Sequence, residues 1–116
     1  MGTVTLILTD GPYISEYAEM AYRIARAALR SHRVNIFLYL DAVHIPKRGQ
    51  RPAFFVNAGT LFCELAQMGA TVEACPRCAT ARGYSADEYL PGIRITSLYR
   101  LAEMIRGSDR VVALSG

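Results

Sequence analysis

Apolar positions along the chain fall into short continuous runs separated by longer stretches of helical period. Thr3 to Thr9 and Val34 to Leu40 are rich in β-branched and apolar residues, and such runs predict strands buried on both faces. Between them Asp10-Gly11-Pro12 breaks the chain, and a helix is predicted from about Ile14 to Arg30. Tyr17, Ala21, Ile24, Ala25 and Ala28 form its apolar stripe. Glu16 and Glu19 near its start and Arg23, Arg26 and Arg30 toward its end occupy the other side and suit the helix dipole.

Residues Asp41 to Asn57 form a long connection containing Pro46, Gly49 and Pro52, three basic residues (Lys47, Arg48, Arg51) and an apolar tail, Ala53-Phe54-Phe55-Val56. Loops of this length tend to be functional. The tail needs cover, either from a subunit interface or from the same chain. A second helix runs from about Ala58 to Met68, with Asn57 as its cap, Leu61, Phe62, Leu65 and Met68 inward, and Gly69 in a left-handed terminal position. Ala70 to Ala74 is a third strand. Gly83 to Leu90 accommodates a short helix capped by Ser85, and Pro91-Gly92 is a turn. Ile93 to Thr96 is a fourth strand. A third helix spans Ser97 to Arg106, with Leu98, Leu101, Ala102 and Ile105 inward, and Arg110 to Leu114 is the last strand. Strands alternating with helices predict an α/β fold of right-handed βαβ units on a parallel sheet. The loops after the first three strands then share one edge and carry Asp10, Asp41 and Cys75.

At 116 residues the chain suits a single domain, 1–116, and a hydrophobic content of 52% excludes disorder. Its net charge of +3 is spread along the chain, with no basic run or interleaved aromatic motif, so nucleic acid is not an expected partner. No stretch approaches the roughly 20 apolar residues that span a bilayer. The first residues lack the features of a signal peptide, so a cytoplasmic protein is expected.

Three cysteines, two of them spaced as Cys75-x-x-Cys78, favour redox, sulfur or metal chemistry over a structural disulfide framework. The third strand delivers Cys75 at its end, Pro76 stops the run, and Arg77 and Arg82 follow closely. A thiolate is the nucleophile in sulfur chemistry, and nearby arginines lend it positive potential. A second thiol three residues on can attack a persulfide or mixed disulfide formed on the first. The plainer reading is two small, semi-buried residues. That is the expected role of Cys63, which lies mid-helix among Leu61, Phe62 and Leu65.

No metal is expected, because the pair supplies two ligands and neither His32 nor His44 has ligand spacing to it. No cofactor is expected either, since the chain has no G-x-G-x-x-G or G-x-x-x-x-G-K motif. A thioredoxin-type motif follows an early strand and opens a long helix. Here the pair follows three strands, and Ala79-Thr-Ala-Arg-Gly-Tyr-Ser85 is poor material for one. Asp10 and Asp41 read as caps of loops or helices before paired carboxylates.

Across nearly its whole length the chain resembles the DsrE/DsrF/TusD family of small sulfur-relay proteins, and within it the YchN-like branch. The resemblance rests on Gly11-Pro12-Tyr13, on Asp41-Ala42-Val43 leading to Arg48-Gly49-Gln50-Arg51-Pro52, and most on Cys75-Pro-Arg-Cys78 followed by Ala79, Arg82 and Gly83. Pro91-Gly92-Ile93 and the ending Asp109-Arg110-Val111-Val112 agree with it. It implies a three-layer α/β/α domain with a five-stranded parallel sheet, and a homo-oligomer, trimer or hexamer.

The resemblance also implies that Cys75 accepts a sulfane sulfur as a persulfide and passes it to a partner protein. In that reading Arg77 and Arg82 stabilise the anion and Cys78 assists release, in a sulfurtransferase-like carrier working between a sulfur donor and an acceptor. Cys78 belongs to the branch's C-x-x-C and is not shared by all relay members. The alternative is a non-enzymatic oligomeric binding or redox-sensing protein that toggles Cys75 and Cys78 between dithiol and disulfide.

Overall fold

The computed structural model describes residues 1–115. Five strands, β1 (Thr3–Leu8), β2 (Arg33–Leu38), β3 (Thr71–Ala74), β4 (Ile93–Ile95) and β5 (Arg110–Leu114), form one sheet in the order β4-β3-β2-β1-β5. Every pairing is parallel. The helices are α1 (Tyr17–Ala28), α2 (Ala58–Gln67), α3 (Pro76–Ala81) and α4 (Leu98–Arg106). Single 3-10 turns occupy Leu40–His44 and Ala86–Glu88. This is the expected α/β architecture. None of the described helices is long and apolar enough to cross a membrane.

Register separates the two faces of the sheet. Partners in a parallel ladder point the same way, so Leu8, Leu38, Ala74, Ile95 and Leu114 share one face with Leu6, Ile36, Val72, Ile93 and Val112. That face is wholly apolar there. Successive right-handed crossovers through α1 and α2 run in one direction across the sheet and cover it.

The return from β4 to β5 runs the other way and puts α4 on the opposite face. There Thr5 lies beside Asn35, and Phe37 beside Glu73. Thr5 and Glu73 are fully buried. Both are satisfied by α4 and its flanks: Thr5 Oγ1 donates to the Met104 carbonyl, and Arg100 holds both Glu73 oxygens at 3.0 and 3.1 Å. Thr96 donates to the same carboxylate at 2.9 Å. Strand β1 is thus covered on both sides, but one of its faces buries the polar Thr5.

That polar face corrects the expected orientation of α4. Met104 is its buried residue, with Arg100 one turn earlier on the sheet side. Leu98 and Ile105, expected inward, are more than 40% exposed, Ala102 is exposed, and Leu101 is half-buried. A helix over a buried carboxylate turns a cation toward it before a leucine.

Helix α1 is also turned from its expected face. Ala18, Ala21, Tyr22 and Ala25 are buried and Ile24 is exposed, because the Tyr22 hydroxyl finds the Glu64 carboxylate of α2. The helix also starts later than expected, after Ser15 has bonded Asp10 and the Tyr17 N–H.

Helix α2 follows its expected boundaries, with Asn57 accepting from the Thr60 N–H and Phe62 and Leu65 buried. Its Met68, expected inward, is 44% exposed. The long connection folds its first half into the core through Ala42, Val43 and Ile45 and leaves Phe54, Phe55 and Val56 exposed.

Candidate functional site

The site grows from the end of β3. The Cys75 N–H donates to the Leu38 carbonyl at 3.0 Å and continues the ladder one residue past the strand. Its backbone stays extended (φ −67°, ψ 126°), and Pro76, whose ring fixes a helical φ, opens α3 directly behind it. Cys75 is therefore the N-cap, and its sulfur accepts the Cys78 N–H at 3.5 Å. A proline at the first helical position explains why a six-residue helix forms where the composition did not predict one. The helix ends at Arg82, and Gly83 follows in the left-handed region at φ 80°.

Cys78 sits one turn on. Its sulfur accepts the Leu40 N–H at 3.2 Å. Leu40 has φ 52°, a left-handed conformation that L side chains rarely adopt. Each sulfur thus takes one backbone N–H. Cys75 is 1% exposed and Cys78 8%, and both are free thiols. Burial holds the Cys78 thiol above its ordinary pKa, and its hydrogen bond with Cys75 adds to that. The Leu40 N–H and, more weakly, the Arg82 charge pull the other way without prevailing. The Cys78 thiol thus holds its proton more tightly than an ordinary thiol does.

The two arginines have separate fates. Arg82 lays Nε and Nη2 on one oxygen of Asp41, at 3.1 and 2.7 Å, and Nη1 on the Cys78 carbonyl at 3.0 Å. Arg77 is exposed on α3 and makes no hydrogen bond or ion pair among the described residues. Cys63 lies on the flank of α2 and donates to the Pro91 carbonyl at 3.3 Å.

Tyr84 and Tyr89 were not singled out from sequence, and His44 was read only as a histidine without ligand spacing to the cysteines. His44 Nδ1 lies 2.7 Å from the Tyr84 hydroxyl, and its Nε2 is 3.8 Å from Asp41. Tyr89 is buried, donates to the Val43 carbonyl at 2.6 Å, and has its pKa raised chiefly by that burial. Asp41, read as a capping residue, is instead the partner of Arg82. No group of three or more His, Cys, Asp or Glu among the described residues is placed to hold a metal ion.

The DsrE/DsrF-like family profile matches residues 3–114. The chain belongs to that family. YchN of Escherichia coli is 30% identical over 116 residues, 97% of this chain and 98% of that one. An uncharacterized protein of Methanopyrus kandleri is 34% identical over 110 residues, 94% and 91% of the two chains. The crystal structure of Escherichia coli YchN superposes with a TM-score of 0.90 at 27% identity, covering 98% of this chain and 100% of that one. The match to YchN in both sequence and structure supports the YchN-like branch of the DsrE/DsrF-like family. At 19% identity, a protein of unknown function from Methanobacterium thermoautotrophicum shares the fold, with a TM-score of 0.74.

Among DsrE/DsrF-like chains, this one presents its C-x-x-C as a strand end followed by a helix start. A hairpin or metal knuckle would hold the same spacing differently. That geometry gives a sulfur anion at Cys75 a backbone donor, and places a protonated thiol beside it as a second donor or a later nucleophile.

Proposed function

We propose that this DsrE/DsrF-like chain is a sulfur carrier in which Cys75 holds a persulfide and hands it to a partner. The observation that carries the reading is the backbone N–H of Cys78 directed at the Cys75 sulfur, at the end of a strand in a family linked to sulfur relay. In loading, the Cys75 thiolate attacks the outer sulfur of a donor persulfide, R–S–SH. A new S–S bond forms, the donor's own S–S bond breaks, and R–S⁻ leaves with the electron pair. In unloading, an acceptor thiolate attacks the outer sulfur and Cys75 leaves as thiolate. Neither step changes the net oxidation state of the pair. Cys78 assists by donating its proton toward the departing Cys75 sulfur. Arg82 favours anionic sulfur nearby, and Arg77, exposed on the outer side of α3, is free to meet a partner.

The carrier works as a homo-oligomer. Phe54, Phe55 and Val56 are 103, 62 and 58% exposed in the single chain, beside a pocket of about 330 Å³ lined by Tyr13, Phe55, Val56 and Leu61. Three adjacent apolar residues left in water are the mark of a surface that another protein covers.

Intact mass after exposure to a sulfane-sulfur donor tests the carrier. Wild type and Cys78→Ser are expected to gain one sulfur atom, and Cys75→Ser none. Cys75→Ser loading as well as wild type would end the proposal. The second reading, a dithiol–disulfide sensor, is favoured by the placement of Cys78 one turn after Cys75, with its N–H on the Cys75 sulfur. It predicts instead the loss of two hydrogens, requiring both cysteines.

A further inference from the structure

Cys75 and Cys78 are almost wholly buried, yet a carrier's sulfur must meet other proteins. We propose that the Asp41–Arg82 ion pair is a clasp that holds the Leu40–His44 turn against α3, and that its opening sets how readily anything reaches the two sulfurs. The inference rests on the carrier reading for its purpose, but not for its physical content.

Four contacts close a ring around Cys78. Its sulfur accepts the Leu40 N–H at 3.2 Å. Its carbonyl accepts from Arg82 Nη1 at 3.0 Å, and Arg82 grips Asp41 through two further nitrogens. Asp41 is the residue after Leu40, so the ring closes through the chain. A second tie lies alongside, from His44 of the same turn to Tyr84 beyond α3. The turn is not at rest: Leu40 sits at φ 52°, and a left-handed leucine favours release whenever its restraints lapse.

Water and other solutes reach the clasp far more readily than the two cysteines. The Asp41 side chain is 56% exposed and that of Arg82 26%. A partner presenting its own anionic group to Arg82 can therefore compete with Asp41 from outside. Most exposed ion pairs do little. This one differs in tying together the two segments between which the thiols are buried.

The test is the rate at which iodoacetamide alkylates Cys75 and Cys78, resolved by mass, at low and high salt, with thermal melting as a check on folding. It needs only thiols, so a chain that failed to carry sulfur would leave the result standing, and a failed clasp would leave sulfur uptake untouched. Wild type is expected to react faster as salt screens the pair. Asp41→Asn is expected to react roughly threefold to fivefold faster than wild type at low salt and to lose most of the salt dependence. Asp41→Glu, which keeps the charge, should restore both. Asp41→Asn reacting at the wild-type rate with the wild-type salt slope overturns the clasp. Equal acceleration in Asp41→Asn and Asp41→Glu with lowered melting temperatures also overturns it, because that is general loosening.

Discussion

Cys78 differs from an ordinary thiol in a way that pH can read. Burial and the contact with Cys75 raise its pKa in the folded chain above the usual thiol value. The folded state then binds its proton more tightly than the unfolded state does. The resulting stability is fully present below the unfolded thiol pKa, about 8.5, and is lost as pH rises through the folded value. Between roughly pH 8 and pH 10, the melting temperature of wild type is expected to fall more steeply than that of Cys78→Ala. Equal slopes would show that Cys78 is not held protonated. Tyr89 has a pKa raised by its own burial and adds a similar loss only at higher pH, outside that window. At this scale the sequence showed the two cysteines and the flanking Arg82. It placed Asp41 on the same sheet edge as Cys75 but could not show that Asp41 binds Arg82 or that His44 meets Tyr84, because those contacts join residues about 40 apart and depend on a 3-10 turn that no periodicity marks.

Among the elements, α4 shows how a buried charge overrides an apolar stripe. Its leucines and isoleucine have helical spacing, yet Arg100 and Met104 face the sheet because Glu73 lies beneath. Removing Arg100 leaves that carboxylate buried with Thr96 as its remaining partner. Arg100→Met is therefore expected to destabilise the domain by about 2 kcal/mol in chemical denaturation. That lies below the loss for a fully buried pair because water reaches Arg100. Glu73→Gln keeps the shape and one acceptor oxygen but sets an amide NH2 against a guanidinium N–H of Arg100, so it should cost about 1–2 kcal/mol. Arg100→Met with wild-type stability would mean that the pair is incidental. The strands and α2 were legible because their signals are local: β-branched runs, an Asn cap, a left-handed Gly69. The rotations of α1 and α4 were not, since each follows a polar partner on another element, Glu64 for Tyr22 and Glu73 for Arg100.

The whole molecule places a two-faced sheet under two kinds of cover. One face packs against α1 and α2 and is apolar throughout its centre, and the other carries Thr5, Asn35 and Glu73 beneath α4. The parallel α/β plan and the C-terminal edge that gathers Asp41 and Cys75 follow from the alternation of runs and helical stretches, so they were visible before any coordinates. Which surfaces other chains cover is less so, because an exposed phenylalanine reads the same in sequence as a buried one. The proposed homo-oligomer predicts a sedimenting mass at a whole multiple of 12.8 kDa, reduced when Phe54 and Phe55 are both changed to Ser. A wild-type monomer at working concentration would contradict it.

The central claim, that Cys75 is the atom that carries sulfur, is tested most directly by locating the added sulfur. The protein would be loaded from a sulfane-sulfur donor, alkylated at once and digested with trypsin. Cleavage after Arg77 puts Cys75 and Cys78 on different peptides, and fragmentation separates Cys75 from Cys63 on the first of them. An extra sulfur on the Cys75 peptide, assigned by fragmentation to Cys75 and absent from the Cys78 peptide, is the predicted result. Sulfur found on Cys63 or on Cys78, or a Cys75–Cys78 disulfide with no added sulfur, would contradict it.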